Sequence, residues 1–91
     1  MEREFEWDED KRLRTIEKHD VDFLRMLALF DGRPLVRSTR IRNGEQRFAS
    51  TGEFEGKFYT VVWTFRSSSI RLITARRARD AEERAYRKVH G

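Results

Sequence analysis

The chain has 91 residues, 20 basic and 16 acidic, with 37% apolar and 40% charged residues and a net charge of +4. That length supports one domain, 1–91, with a modest core, and eleven aromatic residues (seven Phe, two Trp, two Tyr) give the core bulk, which excludes a disordered chain. The absence of cysteine excludes disulfide and thiolate chemistry and suits the reducing cytoplasm. No apolar run approaches the length of a membrane span, and Met1-Glu-Arg-Glu4 does not read as a signal peptide.

Phe5 and Trp7 alternate with Glu4 and Glu6, which predicts a short first strand. Asp8 fits a helix N-cap, with Glu9 and Asp10 in the first turn, and the helix is expected to reach about His19 with Leu13 and Ile16 inward. Asp20 takes the break. Asp22 then caps a second helix, in which Phe23, Met26, Leu27 and Phe30 share one apolar face, and Asp31-Gly-Arg-Pro34 ends it. Strands follow over Leu35–Thr39, Gln46–Thr51, Lys57–Phe65 and Ile70–Arg76, with turns at Asn43-Gly44, Glu53–Gly56 and Ser67–Ser69. A last helix over Asp80–Val89 is expected to dock through a small-residue stripe of Ala81, Ala85 and Val89. The order β-α-α-β-β-β-β-α makes an α+β fold, helices flanking a small antiparallel sheet.

Charge is uneven along this order, with a net −4 over residues 1–31, +2 over 32–55 and +6 over 56–91. A basic C-terminal half favours a polyanionic ligand, most simply nucleic acid, although a solvated basic surface produces the same count. There is no glycine-rich nucleotide loop, nucleophile elbow, histidine pair or calcium loop, so no metal or other cofactor is expected.

The remaining chemistry-bearing residues suffice for metal-free RNA cleavage, in which a 2′-hydroxyl attacks the adjacent phosphate. That reaction needs a base, an acid and cations for the charged phosphorane. Imidazole titrates near neutral pH, which recommends His19, although an imidazolium at a helix C-terminus also serves as a cap. Arginine stays charged and binds phosphate bidentately. Arg47, Arg66, Arg71, Arg76 and Arg77 are candidates, with Arg76 and Arg77 on opposite faces of a continuing strand. Lys18, Tyr86 and Glu82 complete the set. Trp7 and Trp63 read as core.

Four blocks in this order resemble the BrnT family of type II toxins. They are Phe5-Glu-Trp-Asp-Glu-Asp-Lys11 with Lys18-His19-Asp-Val-Asp-Phe23, Gly44-Glu-Gln-Arg47 with Gly52, Val62-Trp-Thr-Phe-Arg66 with Ile70-Arg-Leu-Ile-Thr-Ala-Arg-Arg-Ala78, and Glu82 with Tyr86. The chain departs from the family's usual pattern at Thr15, Asp20, Arg79 and Glu83; Asp80 is the expected replacement N-cap for the last helix. The resemblance implies a RelE-like fold, cytoplasmic RNA cleavage that inhibits translation, and neutralisation by a BrnA-like ribbon-helix-helix antitoxin. Operator DNA would be contacted only through that antitoxin. Within this reading Arg76 and Arg66 are expected phosphate clamps, with Arg47, Arg71 and Arg77 as further RNA contacts. His19 or Lys18 is expected to transfer the proton, and Tyr86 is a secondary candidate. The alternative is an inactive toxin-like module that serves only as antitoxin partner and co-repressor. A direct DNA-binding regulator is disfavoured because the second helix carries Arg25 as its only basic residue.

Overall fold

The structure, a computed structural model, describes residues 4–39 and 41–90. Its elements are β1 (Glu4–Glu6), α1 (Glu9–His19), α2 (Phe23–Met26), α3 (Ala28–Asp31), β2 (Leu35–Ser38), β3 (Arg47–Phe54), β4 (Lys57–Arg66), β5 (Ser69–Arg77) and α4 (Asp80–His90). The expected second helix is thus two single turns joined at Leu27, and the strand and helix order otherwise holds.

One five-stranded sheet has the order β1-β5-β4-β3-β2. Strands β2 to β5 form an antiparallel meander, as their turns dictate. Strand β1 departs from the all-antiparallel expectation: it pairs parallel to β5, with Phe5 opposite Ile70. The Glu55-Gly56 turn has positive φ at both residues (51° and 79°), the geometry that matches strand twist in a two-residue hairpin. Asn43-Gly44 turns the same way, but at the tip of a longer loop closed by an Arg42–Glu45 bridge. Residue Ile73 is an extra residue in β5: Val62 pairs with Thr74 and Trp63 with Leu72. Such a bulge re-aims the side chains around it.

Cross-strand partners share a face. On one face Val61, Trp63, Ile70, Leu72 and Ala75 form the core with Val21, Phe23, Met26 and Leu29 from the α2–α3 segment. Trp63 lies in this core, its indole N–H donating to Ser50 Oγ at 2.8 Å, and half-buried Trp7 packs on Phe23. Gly52 permits the close approach of α3, since a Cβ there would lie 3.0 Å from Leu29 Cδ2.

The other face carries Arg47, Ala49, Thr51, Phe58, Thr60, Val62 and Arg76, and α4 covers one end of it. Two packing expectations fail here. Leu13 is 54% exposed while Thr15 is the buried residue of α1. Ala81, Ala85 and Val89 all face outward, and α4 docks instead through Glu82 and Tyr86. The reason is the sheet beneath it: Thr60 and Arg76 offer polar partners, which a carboxylate satisfies and a methyl stripe does not. Among the described residues no helix is long and apolar enough to cross a membrane.

Candidate active site

Residues Lys11, Arg14, Thr15 and Lys18 stand at i, i+3, i+4 and i+7, so they line one face of α1, with His19 completing its last turn. Capping fixes both ends of this helix. The Asp8 carboxylate accepts from the N–H groups of Asp10 and Lys11, and Asp20 closes the far end in the left-handed conformation (φ 56°, ψ 38°), donating to Ile16 O at 2.8 Å. Thr15 is tied down by its hydroxyl, which donates to Lys11 O at 2.7 Å.

This face of α1 forms one wall of an open groove of about 440 Å³. Ile73 and Thr74, at the bulge, line it together with Arg47 of β3 and Arg42 of the β2–β3 loop. The groove continues past these four residues into a hollow of about 360 Å³ bordered by Arg37, Thr39, Ala49, Val62 and Arg76. Among the described residues none that lines either part is acidic. Arg47 sits 3.5 Å from Glu45 Oε1, and its buried Nε makes no hydrogen bond.

Arg76, at the end of the groove, is engaged. It donates to Glu82 through Nη1 (2.7 Å) and Nη2 (2.9 Å). Glu82 also accepts from Arg37 Nη2 (2.9 Å), Thr60 Oγ1 (3.1 Å) and the Arg79 N–H (2.8 Å). Burial pushes the Glu82 carboxyl up, but Arg76, the Arg79 N–H and Arg37 outweigh it and hold the group well below the usual carboxylate range. Arg76 is raised in turn, chiefly by its hydrogen bonds to Glu82. The bond from Arg79 is half of a capping box: Arg79 holds the N-cap position, its carbonyl accepting from Glu83, and the third helical residue reaches back to its N–H. Asp80 is therefore the first helical residue and not the cap.

The structure thus brings together His19, Lys18 and Arg47, with Arg76 at the adjoining end. It separates the rest. Arg66 is exposed and lies 3.4 Å from Glu45 Oε2. Arg71 donates to Glu6 at 2.8 Å. Arg77 is on the opposite face from Arg76, 5.6 Å over the Tyr59 ring. Tyr86 packs between Phe58 (5.3 Å) and His90 (4.4 Å). Four basic groove residues, Lys11, Arg14, Arg37 and Arg42, were not singled out from the sequence. For the first two the signal was the helical spacing with Lys18; for Arg37 and Arg42 no local signal existed.

Such a groove, with ammonium, guanidinium and imidazole groups around an apolar floor, can hold an extended polyanion and exchange protons with it. Among the described residues no group of three or more His, Asp or Glu side chains is placed to hold a metal ion. Residues 7–82 match the family described as "Ribonuclease toxin, BrnT, of type II toxin-antitoxin system". The fold is similar to the 1.1 Å crystal structure of the Brucella abortus ribonuclease toxin BrnT, at 26% identity and a TM-score of 0.66, covering 87% of this chain and all of that one. No curated protein matches the chain. A family match across most of the length, a shared fold and a basic groove lead to one conclusion: this chain belongs to the BrnT family of ribonuclease toxins of type II toxin–antitoxin systems.

Proposed function

We propose that the groove between α1 and the sheet cleaves single-stranded cellular RNA by attack of a 2′-hydroxyl on the neighbouring phosphate, without a metal ion. The observation that carries this reading is the convergence of Lys11, Arg14, Lys18 and His19 with Arg42 and Arg47 around one groove that no acidic side chain lines among the described residues. Arg42 and Arg47 hold the phosphate and stabilise the phosphorane's charge. His19 and Lys18 carry the proton transfers, His19 as base toward the 2′-hydroxyl and the Lys18 ammonium as donor toward the leaving 5′-oxygen. Arg76 supports the groove's far wall through its ion pair with Glu82. Cleavage in the cytoplasm arrests translation, and a BrnA-like ribbon-helix-helix antitoxin neutralises the protein and supplies the complex's contacts to operator DNA.

Purified protein incubated with single-stranded RNA in the presence of a chelator tests this. Fragments ending in a 2′,3′-cyclic phosphate are expected. His19→Ala and Arg47→Ala, folded by circular dichroism, should each lower the rate by about 10²-fold or more. Cleavage that needs an added metal, or that survives both substitutions, overturns the mechanism.

A further inference from the structure

A second hollow lies on the other side of the Asn43-Gly44 turn and is built differently. Asn43, Glu45, Gln46, Phe48, Thr64 and Phe65 line it. Phe65 is 56% exposed, although Val61 and Trp63 on the same strand face are buried. Its ring is held edge-on to Trp63 (5.1 Å) and Phe48 (5.8 Å), and Phe48 stacks on Trp63 at 4.7 Å, so a rigid aromatic cluster presents this ring to solvent. An exposed aromatic ring held rigidly beside hydrogen-bonding groups is the kind of platform on which an unpaired base stacks.

The polar rim suits a base edge. Glu45 is acceptor-only, and its carboxylate disfavours a phosphate at this place. Gln46 Nε2 donates to the carbonyls of Thr39 (3.1 Å) and Arg47 (3.0 Å), which fixes that side chain with its oxygen as an acceptor. The hollow adjoins the groove through one short stretch of chain. Arg42 and Arg47 flank the 43–46 segment and line the groove, while the residues between them line the hollow. Glu45, which lines the hollow, lies 3.5 Å from Arg47 of the groove and 3.4 Å from exposed Arg66.

We propose that this hollow is a nucleobase subsite. An unpaired base stacks on Phe65 while a phosphate of the same strand lies against Arg42 and Arg47 in the groove, and Glu45 selects a base with an exocyclic amino group over uracil. The inference rests on the RNA-binding reading of the groove and adds to it where specificity is read.

The test uses three oligomers of equal length: 2′-O-methyl oligocytidylate, 2′-O-methyl oligouridylate and an abasic sugar-phosphate chain, none of which can be cleaved at a 2′-hydroxyl. Affinities are measured by fluorescence anisotropy. Wild type should prefer oligocytidylate. Phe65→Ala should weaken it roughly 5- to 150-fold, the worth of one stacked base, and leave the abasic chain unchanged, while Phe65→Trp retains binding. Arg42→Ala should weaken all three. Unchanged oligocytidylate binding by Phe65→Ala, with loss in Arg42→Ala, overturns the subsite and leaves the groove standing. Equal loss on the abasic chain, or no preference between the two bases, overturns it as well. Wild type that binds none of the three overturns subsite and groove together.

Discussion

Glu82 concentrates more interactions than any other described carboxylate of this molecule. Two arginines, a threonine hydroxyl and a backbone N–H donate to it, and its side chain is only 10% exposed. Its removal leaves the Arg76 guanidinium, 19% exposed, without a counter-ion. Glu82→Ala should therefore cost about 2–3 kcal/mol of stability, read as a lower urea midpoint. The pH dependence follows from the same contacts. The folded carboxyl is depressed below its unfolded value, so its contribution is complete above about pH 4.3 and is lost progressively as the pH falls below that. Asp22, lowered chiefly by its hydrogen bonds to Arg12, adds in the same direction. Urea midpoints measured from pH 6 to pH 3 should fall more steeply in wild type than in Glu82→Gln. The family resemblance singled out Glu82 over Glu83, but its role was not legible, because its partners Arg37, Thr60 and Arg76 lie on three different strands. Glu83, one residue away, makes only an exposed pair with Arg87.

Helix α1 shows how an element carries several chemical groups at once. Its caps are local and were legible: Asp8 at the start, negative charge in the first turn, a break at Asp20. Its orientation was not legible, because the apolar pair Leu13 and Ile16 marks an inward face that the packing does not use fully, Leu13 being exposed. Thr15 is buried against the sheet, which turns the stripe of Lys11, Arg14 and Lys18 toward the groove. Asp20 occupies a left-handed position where glycine has no Cβ penalty. Asp20→Gly should stabilise the protein by about 0.5–1 kcal/mol, seen as a higher melting temperature, with RNA cleavage unchanged because the backbone path of the helix end is already the one glycine favours. Helix α4 shows the converse. Its polar contacts with Arg76 and Thr60 outweigh its apolar stripe, leaving Val89 64% exposed.

At the scale of the whole molecule, the groove exists because α1, the β2–β3 loop and the bulged β5 come together although they are far apart in the chain. A single-stranded RNA contacting about four to six of its cations should bind with a log–log salt slope of roughly −3 to −4, and Arg42→Ala should reduce that slope by about 0.7. A salt-independent affinity would contradict an electrostatic groove. The sequence by itself determined the strand order and turns of the meander, the caps at Asp8, Asp20 and Asp22, and most of the buried face. These depend on alternation, on residues that tolerate positive φ and on hydrogen bonds between near neighbours. The family resemblance was legible for the same reason, being carried by short blocks in register. Tertiary structure alone decided that β1 pairs parallel to β5, and that His19, Lys18 and Arg47 meet while Arg66, Arg71, Arg77 and Tyr86 stand apart. An arginine reads alike on every strand, and which ones share a groove is set by sheet register, the bulge at Ile73 and the roll of α1, all of which come from packing between distant segments.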